Sequence, residues 1–223
     1  MSFDNVQTST QAAVEVSDLR FRYREGAGLA INEFRLARTE SCAVIGPSGC
    51  GKTTFVNLLA GLLTADSGSV RLLGQELSEL SESAMDKYRG RHIGFVFQQF
   101  HLLRSLSVRE NLNVALHLSR SDSPQNIEQL LDRLGLAGVG DRKPSALSYG
   151  QAQRVAIARA LVHKPELVIA DEPTSALDDD SAAESLSLLR EVAEDSGSAL
   201  LVVTHDHRVR GQLSRVFDMQ NPQ

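Results

Sequence analysis

Leu19, Phe21 and Tyr23 alternate with Arg20, Arg22 and Arg24, so residues 14–23 read as a strand with one apolar and one charged face. Gly26 and Gly28 mark a turn, and 29–36 predicts a second strand. Short apolar runs at 42–45, 93–97, 167–170 and 199–204 read as strands, with 69–73 and 216–219 as briefer candidates. Helical patterning covers 54–63, 81–89, 108–118, 127–134, 151–163 and 181–193. Within 151–163, Ala152, Val155, Ala156, Ala160 and Leu161 form the expected buried stripe. Strands alternating with helices predict an α/β fold with a mostly parallel sheet in three layers. Residues 99–163 break that alternation. Their helices, interrupted by Ser121–Pro124 and by Gly135, Gly138 and Gly140, read as a helical lobe inserted into the α/β core.

At 223 residues the chain can bury one substantial core, with or without a lobe. Its net charge of -5 argues against general nucleic-acid binding, and no nucleic-acid partner is expected. The longest apolar run, 199–203, falls well short of the roughly 18 residues a spanning helix needs. The polar stretch 1–11 reads as a mobile tail without an export signal, and a cytoplasmic protein is expected. Two cysteines make no disulfide framework. Cys42 reads as a small buried strand residue. Six histidines show no metal-ligand spacing, and five of them read as solvated surface residues.

One segment carries chemistry by itself. Gly46-Pro47-Ser48-Gly49-Cys50-Gly51-Lys52-Thr53 fits GxxxxGK[ST], between a predicted strand and a helix opening at Thr54. Its glycines let backbone N–H groups close around phosphate oxygens, and the helix N-terminus adds its positive dipole end. Lys52 supplies a point charge to the outer phosphates, and the Thr53 hydroxyl is placed to ligate Mg²⁺. A nucleoside triphosphate is the expected ligand. Cys50 sits inside this loop, and alkylating it is expected to block nucleotide binding. The apolar run 167–170 ends in Asp171 and Glu172, a pair suited to holding Mg²⁺ and polarising an attacking water.

The stretch Leu147-Ser148-Tyr149-Gly150-Gln151, followed by Arg154, resembles the signature of ATP-binding cassette (ABC) proteins, usually Leu-Ser-Gly-Gly-Gln. Other cassette marks follow in the family's order. Tyr23 matches the aromatic that stacks on adenine, Gln98 the glutamine of the Q-loop, Ser175-Ala176-Leu177-Asp178 the D-loop and His205 the switch histidine. The resemblance implies a P-loop NTPase (RecA-like) core with an N-terminal antiparallel β subdomain, both within 1–98 and 164–223, and a helical signature subdomain at 99–163. It implies ATP and Mg²⁺ as cofactors, with Gly46 to Thr54 on the phosphates and Thr53, Gln98 and Asp171 around the metal. Glu172 would be the general base, assisted by His205, Gln98 and Lys52. It also implies a head-to-tail homodimer around two ATP molecules, in which Ser148, Gly150, Gln151 and Asp178 complete the neighbour's site.

Tyr149 replaces the usual first glycine of the signature, and an ordinary backbone angle is expected there because bulky residues resist positive φ. Ala152 stands where glutamine is usual.

Two classes of function fit such a cassette. One is the ATPase subunit of a transporter, peripheral on the inner face of the cell membrane and acting on separate transmembrane permease subunits. The other is a soluble cassette in a non-transport assembly. The coiled-coil, zinc and tandem-cassette features usual in the second class are missing from this sequence, and residues 100–107 resemble a docking surface for membrane subunits. The stretch 98–103 is similar to the lipoprotein-releasing and macrolide-export group, whereas residues 175–178 resemble polar amino-acid importers.

Overall fold

The computed structural model describes residues 12–24, 26, 28–121, 125–175 and 177–219; the N-terminal tail expected at 1–11 lies outside them. In chain order these residues form β1 (Ala12–Arg22), β2 (Gly28–Ala37), β3 (Ser41–Ile45), α1 (Lys52–Leu59), β4 (Ser67–Leu72), β5 (Gln75–Glu76), α2 (Glu82–His92) and β6 (Ile93–Val96). They continue with α3 (Val108–Ser119), α4 (Ile127–Arg133), α5 (Tyr149–Leu161), β7 (Leu167–Asp171), α6 (Asp179–Asp195), β8 (Ala199–Thr204) and β9 (Arg215–Asp218).

Two sheets result, an antiparallel one in the order β2-β1-β4-β5 and a parallel one in the order β6-β7-β8-β3-β9. In β1 the buried positions change phase, from Val14 and Val16 to Leu19 and the half-buried Phe21. A one-residue slip would normally turn the later side chains to solvent. Asp18 absorbs it, with φ 49 and a break in pairing with β4 between Ser17 and Arg20. Gly68 is required opposite this bulge, because a Cβ there would lie 2.4 Å from the Asp18 carbonyl oxygen. Tyr23 does not continue the apolar face. The strand ends at Arg22, Gly26 N–H closes a turn onto the Tyr23 carbonyl, and the ring is 43% exposed.

The parallel sheet is buried on both faces, which is why its strands read as unbroken apolar runs. Cys42, Val44, Leu201 and Val203 face α1 and the antiparallel sheet. There the rings of Phe34, Phe55 and Phe217 meet at 5.0 to 6.1 Å between centroids. Ala43, Ile45, Leu200 and Val202 face the opposite way, into a core shared with α3 to α6. The three-layer expectation holds for this sheet, while the first four β-strands outside it form a second sheet of their own.

Three further sequence readings need correction. The helix expected over 54–63 stops at Leu59, because Gly61 takes φ 63 and Leu62 and Leu63 donate back to the Asn57 carbonyl. In α5, Ala152 is only half-buried, whereas Gln153, Ile157 and Ala158 are buried with the expected residues. This helix is enclosed on most of its circumference, so a one-stripe pattern underestimates it. The surface reading of the histidines also fails for two. His163 is 6% exposed, and burial lowers its pKa. His92 is half-buried against the Tyr88 ring and bonded to Glu166 at 2.9 Å.

Candidate functional site

Strands β6, β7, β8 and β3 are neighbours, so the residues following their carboxyl ends converge on one edge of the sheet. In open parallel sheets that edge is where ligands bind. The loop between β3 and α1 lies there. Gly49 and Gly51 have φ 82 and 99, which L side chains adopt only with strain and glycine adopts freely. Gly46 is buried beneath Cys50, whose Sγ a Cβ at 46 would meet at 2.6 Å. Pro47, Ser48, Gly49 and Thr53 are exposed, and Thr54 is half-buried. Lys52 is only 8% exposed, and its Nζ donates to the Gly46 and Pro47 carbonyls at 2.8 and 3.0 Å. The Tyr23 hydroxyl meets Thr54 Oγ1 at 3.1 Å, which ties the end of β1 to α1.

Asp171 ends β7, where burial and then the Glu172 charge push its carboxyl above the usual range against the opposing pull of Lys52. Glu172 takes φ 50. That angle is uncommon outside glycine and turns the carboxylate toward the end of β8. Glu172 Oε2 accepts from Thr204 Oγ1 at 2.8 Å. Its Oε1 accepts from His205 N–H at 3.1 Å and lies 2.8 Å from His205 Nδ1. Thr204 Oγ1 also accepts from Asp206 N–H at 3.0 Å. From the other side, Gln98 Nε2 donates to Ser175 Oγ, which donates to the Glu172 carbonyl, both at 3.1 Å. One hydrogen-bonded chain therefore joins Gln98, Glu172, Thr204 and His205.

The signature residues stand elsewhere. Ser148 caps α5 in a reciprocal box with Gln151, each side chain bonding the other's backbone N–H at 3.1 to 3.2 Å. Tyr149 is the first helical residue and is not among the positive-φ positions, so the ordinary backbone angle expected for it is met. Ser148, Tyr149 and Gly150 are exposed. Asp178 caps α6 by accepting from Ser181 N–H and Oγ, and these bonds lower its pKa; Asp179 and Asp180 follow in the first turn. The D-loop residue Ala176 lies outside the described residues.

Sequence reasoning missed three participants and the linking role of Ser175, which it read only as part of the D-loop. Thr204 is wholly buried and supports the Glu172 carboxylate. Ser175 is the link between Gln98 and Glu172. Gln153 donates to the Pro173 carbonyl at 2.8 Å beneath the acidic pair, and Arg159 donates to the Phe100 and His101 carbonyls at 2.8 and 2.7 Å. Polar residues ending an apolar strand or interrupting a buried helix face were the available signals.

The chain is similar to known proteins along most of its length. The lipoprotein-releasing system ATP-binding protein LolD of Pseudomonas fluorescens is 42% identical over 219 residues, covering 95% of this chain and 96% of that protein. Macrolide export ATP-binding/permease protein MacB 1 of Aeromonas hydrophila is 42% identical over 192 residues, covering 85% of this chain and 30% of that protein. The dimeric post-hydrolysis structure of the ATP-binding cassette MJ0796 with ADP and Pi superposes with a TM-score of 0.77 at 32% identity, covering 92% and 93% of the two chains. The family model described as ABC transporter matches residues 29–175, and with these relatives it shows that the chain belongs to the ABC transporter family, as an ATP-hydrolysing cassette.

Proposed function

We propose that the chain powers a transporter of the lipoprotein-releasing or macrolide-export type, as a homodimer bound to separate permease subunits at the inner face of the membrane. The observation that carries the catalytic part is the convergence of Lys52, Asp171, Glu172 and His205 on one sheet edge, while the exposed Ser148 and Gly150 lie on a separate helix start. Two copies arranged head to tail bring the missing half to each site. In that arrangement Ser148, Gly150 and Gln151 offer a hydroxyl and helix-start N–H groups to the neighbour's γ-phosphate, with Asp178 beside them.

The residues present suit ATP with Mg²⁺. The positive-φ glycines Gly49 and Gly51 form a phosphate cradle with Gly46, Pro47, Ser48 and Cys50, and Lys52 and Thr54 flank it. Asp171 carries a charge that burial disfavours and that a bound cation relieves. Thr53, Gln98 and Asp171 would hold the metal, which supplies charge neutralisation at the phosphates. Tyr23 stacks on the adenine. Glu172 takes the proton of the attacking water, Gln98 and His205 orient it, and Lys52 balances the charge that builds on the transferred phosphoryl group.

The segment after Gln98 supports the permease part. It borders a groove lined by Gln99, Phe100, Leu102, Arg104, Pro144 and Ala152, with Leu103 45% exposed beside it. The names of the relatives, which run to lipoprotein release and macrolide export, favour export over import. Glu172→Gln tests the reading. It should bind ATP, lose about 10²–10⁴ in turnover and sediment as an ATP-dependent dimer. A strictly monomeric, ATP-loaded variant, or one turning over at the parent rate, overturns it.

A further inference from the structure

Tyr149 makes a contact that the glycine usual in its place could not make. Its ring packs on Phe100 with centroids 4.9 Å apart and planes tilted by 56°. Phe100 lies two residues beyond Gln98, whose side chain is held to Ser175 and through it to the Glu172 carbonyl. The same helix grips this segment a second time, ten residues further along, through Arg159 on the Phe100 and His101 carbonyls. Arg159 is half-buried, and burial lowers its pKa, so its guanidinium is sequestered for these two bonds. Phe97 and His101 add an edge contact at 5.4 Å that folds the segment onto itself. Residues 98–101 are thus clamped at one end to the hydrolytic acid and at the other to α5.

Without the ring, the hydrogen bonds from α5 to this segment would come from Arg159, about 15 Å along the helix axis from the signature. With it, the clamp reaches the first helical residue, directly beside Ser148. Tyr149 is 49% exposed, so the contact adds little to the hydrophobic core. Its consequence is positional.

We propose that Tyr149 is a positioning residue that locks the start of α5 to Phe100, so that the half-site presented to a neighbouring copy (Ser148 and Gly150) and the Gln98 end of the chain's own site move as one body. The proposal rests on the dimeric ATPase reading above for its consequence in turnover, but the mechanical link itself stands on the contacts within one chain.

The test uses Tyr149→Ala, Tyr149→Phe, Phe100→Ala and the double variant Tyr149→Ala/Phe100→Ala in the full chain. Alanine is chosen because glycine would also loosen the helix start. The first readout is amide hydrogen exchange across residues 98–102. Loss of an aromatic pair corresponds to roughly a 2- to 10-fold change in equilibrium. Exchange should therefore quicken by about that factor in Tyr149→Ala and stay within about twofold of the parent in Tyr149→Phe. The second readout is ATP turnover. Tyr149→Ala and Phe100→Ala should each lower kcat by about 2- to 10-fold with KM changed less, and the double variant should be no worse than the poorer single one. Unchanged exchange at 98–102 in Tyr149→Ala, single effects that multiply, or Tyr149→Phe behaving like Tyr149→Ala would overturn the link. A parent chain that hydrolyses no ATP would instead remove the functional reading, and the exchange arm would still decide the contact.

Discussion

Thr204→Val isolates what positions the acid, because valine keeps the side-chain shape and removes only the hydroxyl. Thr204 is wholly buried and its Oγ1 serves two bonds, donating to Glu172 Oε2 at 2.8 Å and accepting from Asp206 N–H at 3.0 Å. The bond to the carboxylate is charge-assisted and contributes about 1.5–3 kcal/mol, and the second neutral bond about 1 kcal/mol. Glu172 retains the His205 N–H, so the two losses need not add fully. A destabilisation of about 2–4 kcal/mol follows, which for a chain of this length lowers Tm by about 5–15 °C. Under the general-base role proposed for Glu172, turnover should fall as well, by about 10- to 100-fold, since the freed carboxylate would lose its fixed place relative to the attacking water. Thr204→Ser, which keeps the hydroxyl, should recover most of both losses. Thermal unfolding and steady-state ATPase on the three proteins provide the check. A valine variant that melts within about 1 °C of the parent and turns over normally refutes the role given to this hydroxyl.

Two further outcomes follow from the titration behaviour of buried groups. Because the folded protein holds the Asp171 carboxyl above its ordinary pKa, the charged form costs stability above the folded pKa, and that cost fades as pH falls through it. Asp171→Asn should therefore melt higher than the parent at pH 7 in the absence of nucleotide, with a gap that narrows on acidification, while turnover collapses; a lower melting point at pH 7 contradicts this. Burial raises the Cys42 thiol to about 12, with Arg215 opposing, whereas Cys50 lies half-buried in the phosphate loop. Iodoacetamide at pH 8 should modify Cys50 and spare Cys42, and ATP should protect Cys50; peptide mass analysis showing the reverse order excludes this picture.

The phosphate loop, the acidic strand end and the order of the cassette marks were open to reading because each depends on residues close together in the chain. A strand, a glycine-rich turn and a helix start are local structures, and their backbone angles follow from residue type at Gly49 and Gly51. The doubly buried strands were equally plain, since burial on both faces leaves an unbroken apolar run. Other features depended on partners distant in sequence. The phase change in β1 makes sense only beside Gly68, the burial of His163 only within the packed helical block, and the full enclosure of α5 only once other elements cover it. The support of Glu172 by Thr204, the Gln98–Ser175 bond and the Tyr149–Phe100 contact join residues 32 to 77 positions apart. What this sequence determined by itself was the chemistry each short segment can perform. Tertiary structure decided which of those segments hold one another in place, because side-chain hydrogen bonds and ring contacts depend on distances that only the assembled sheets and helices set.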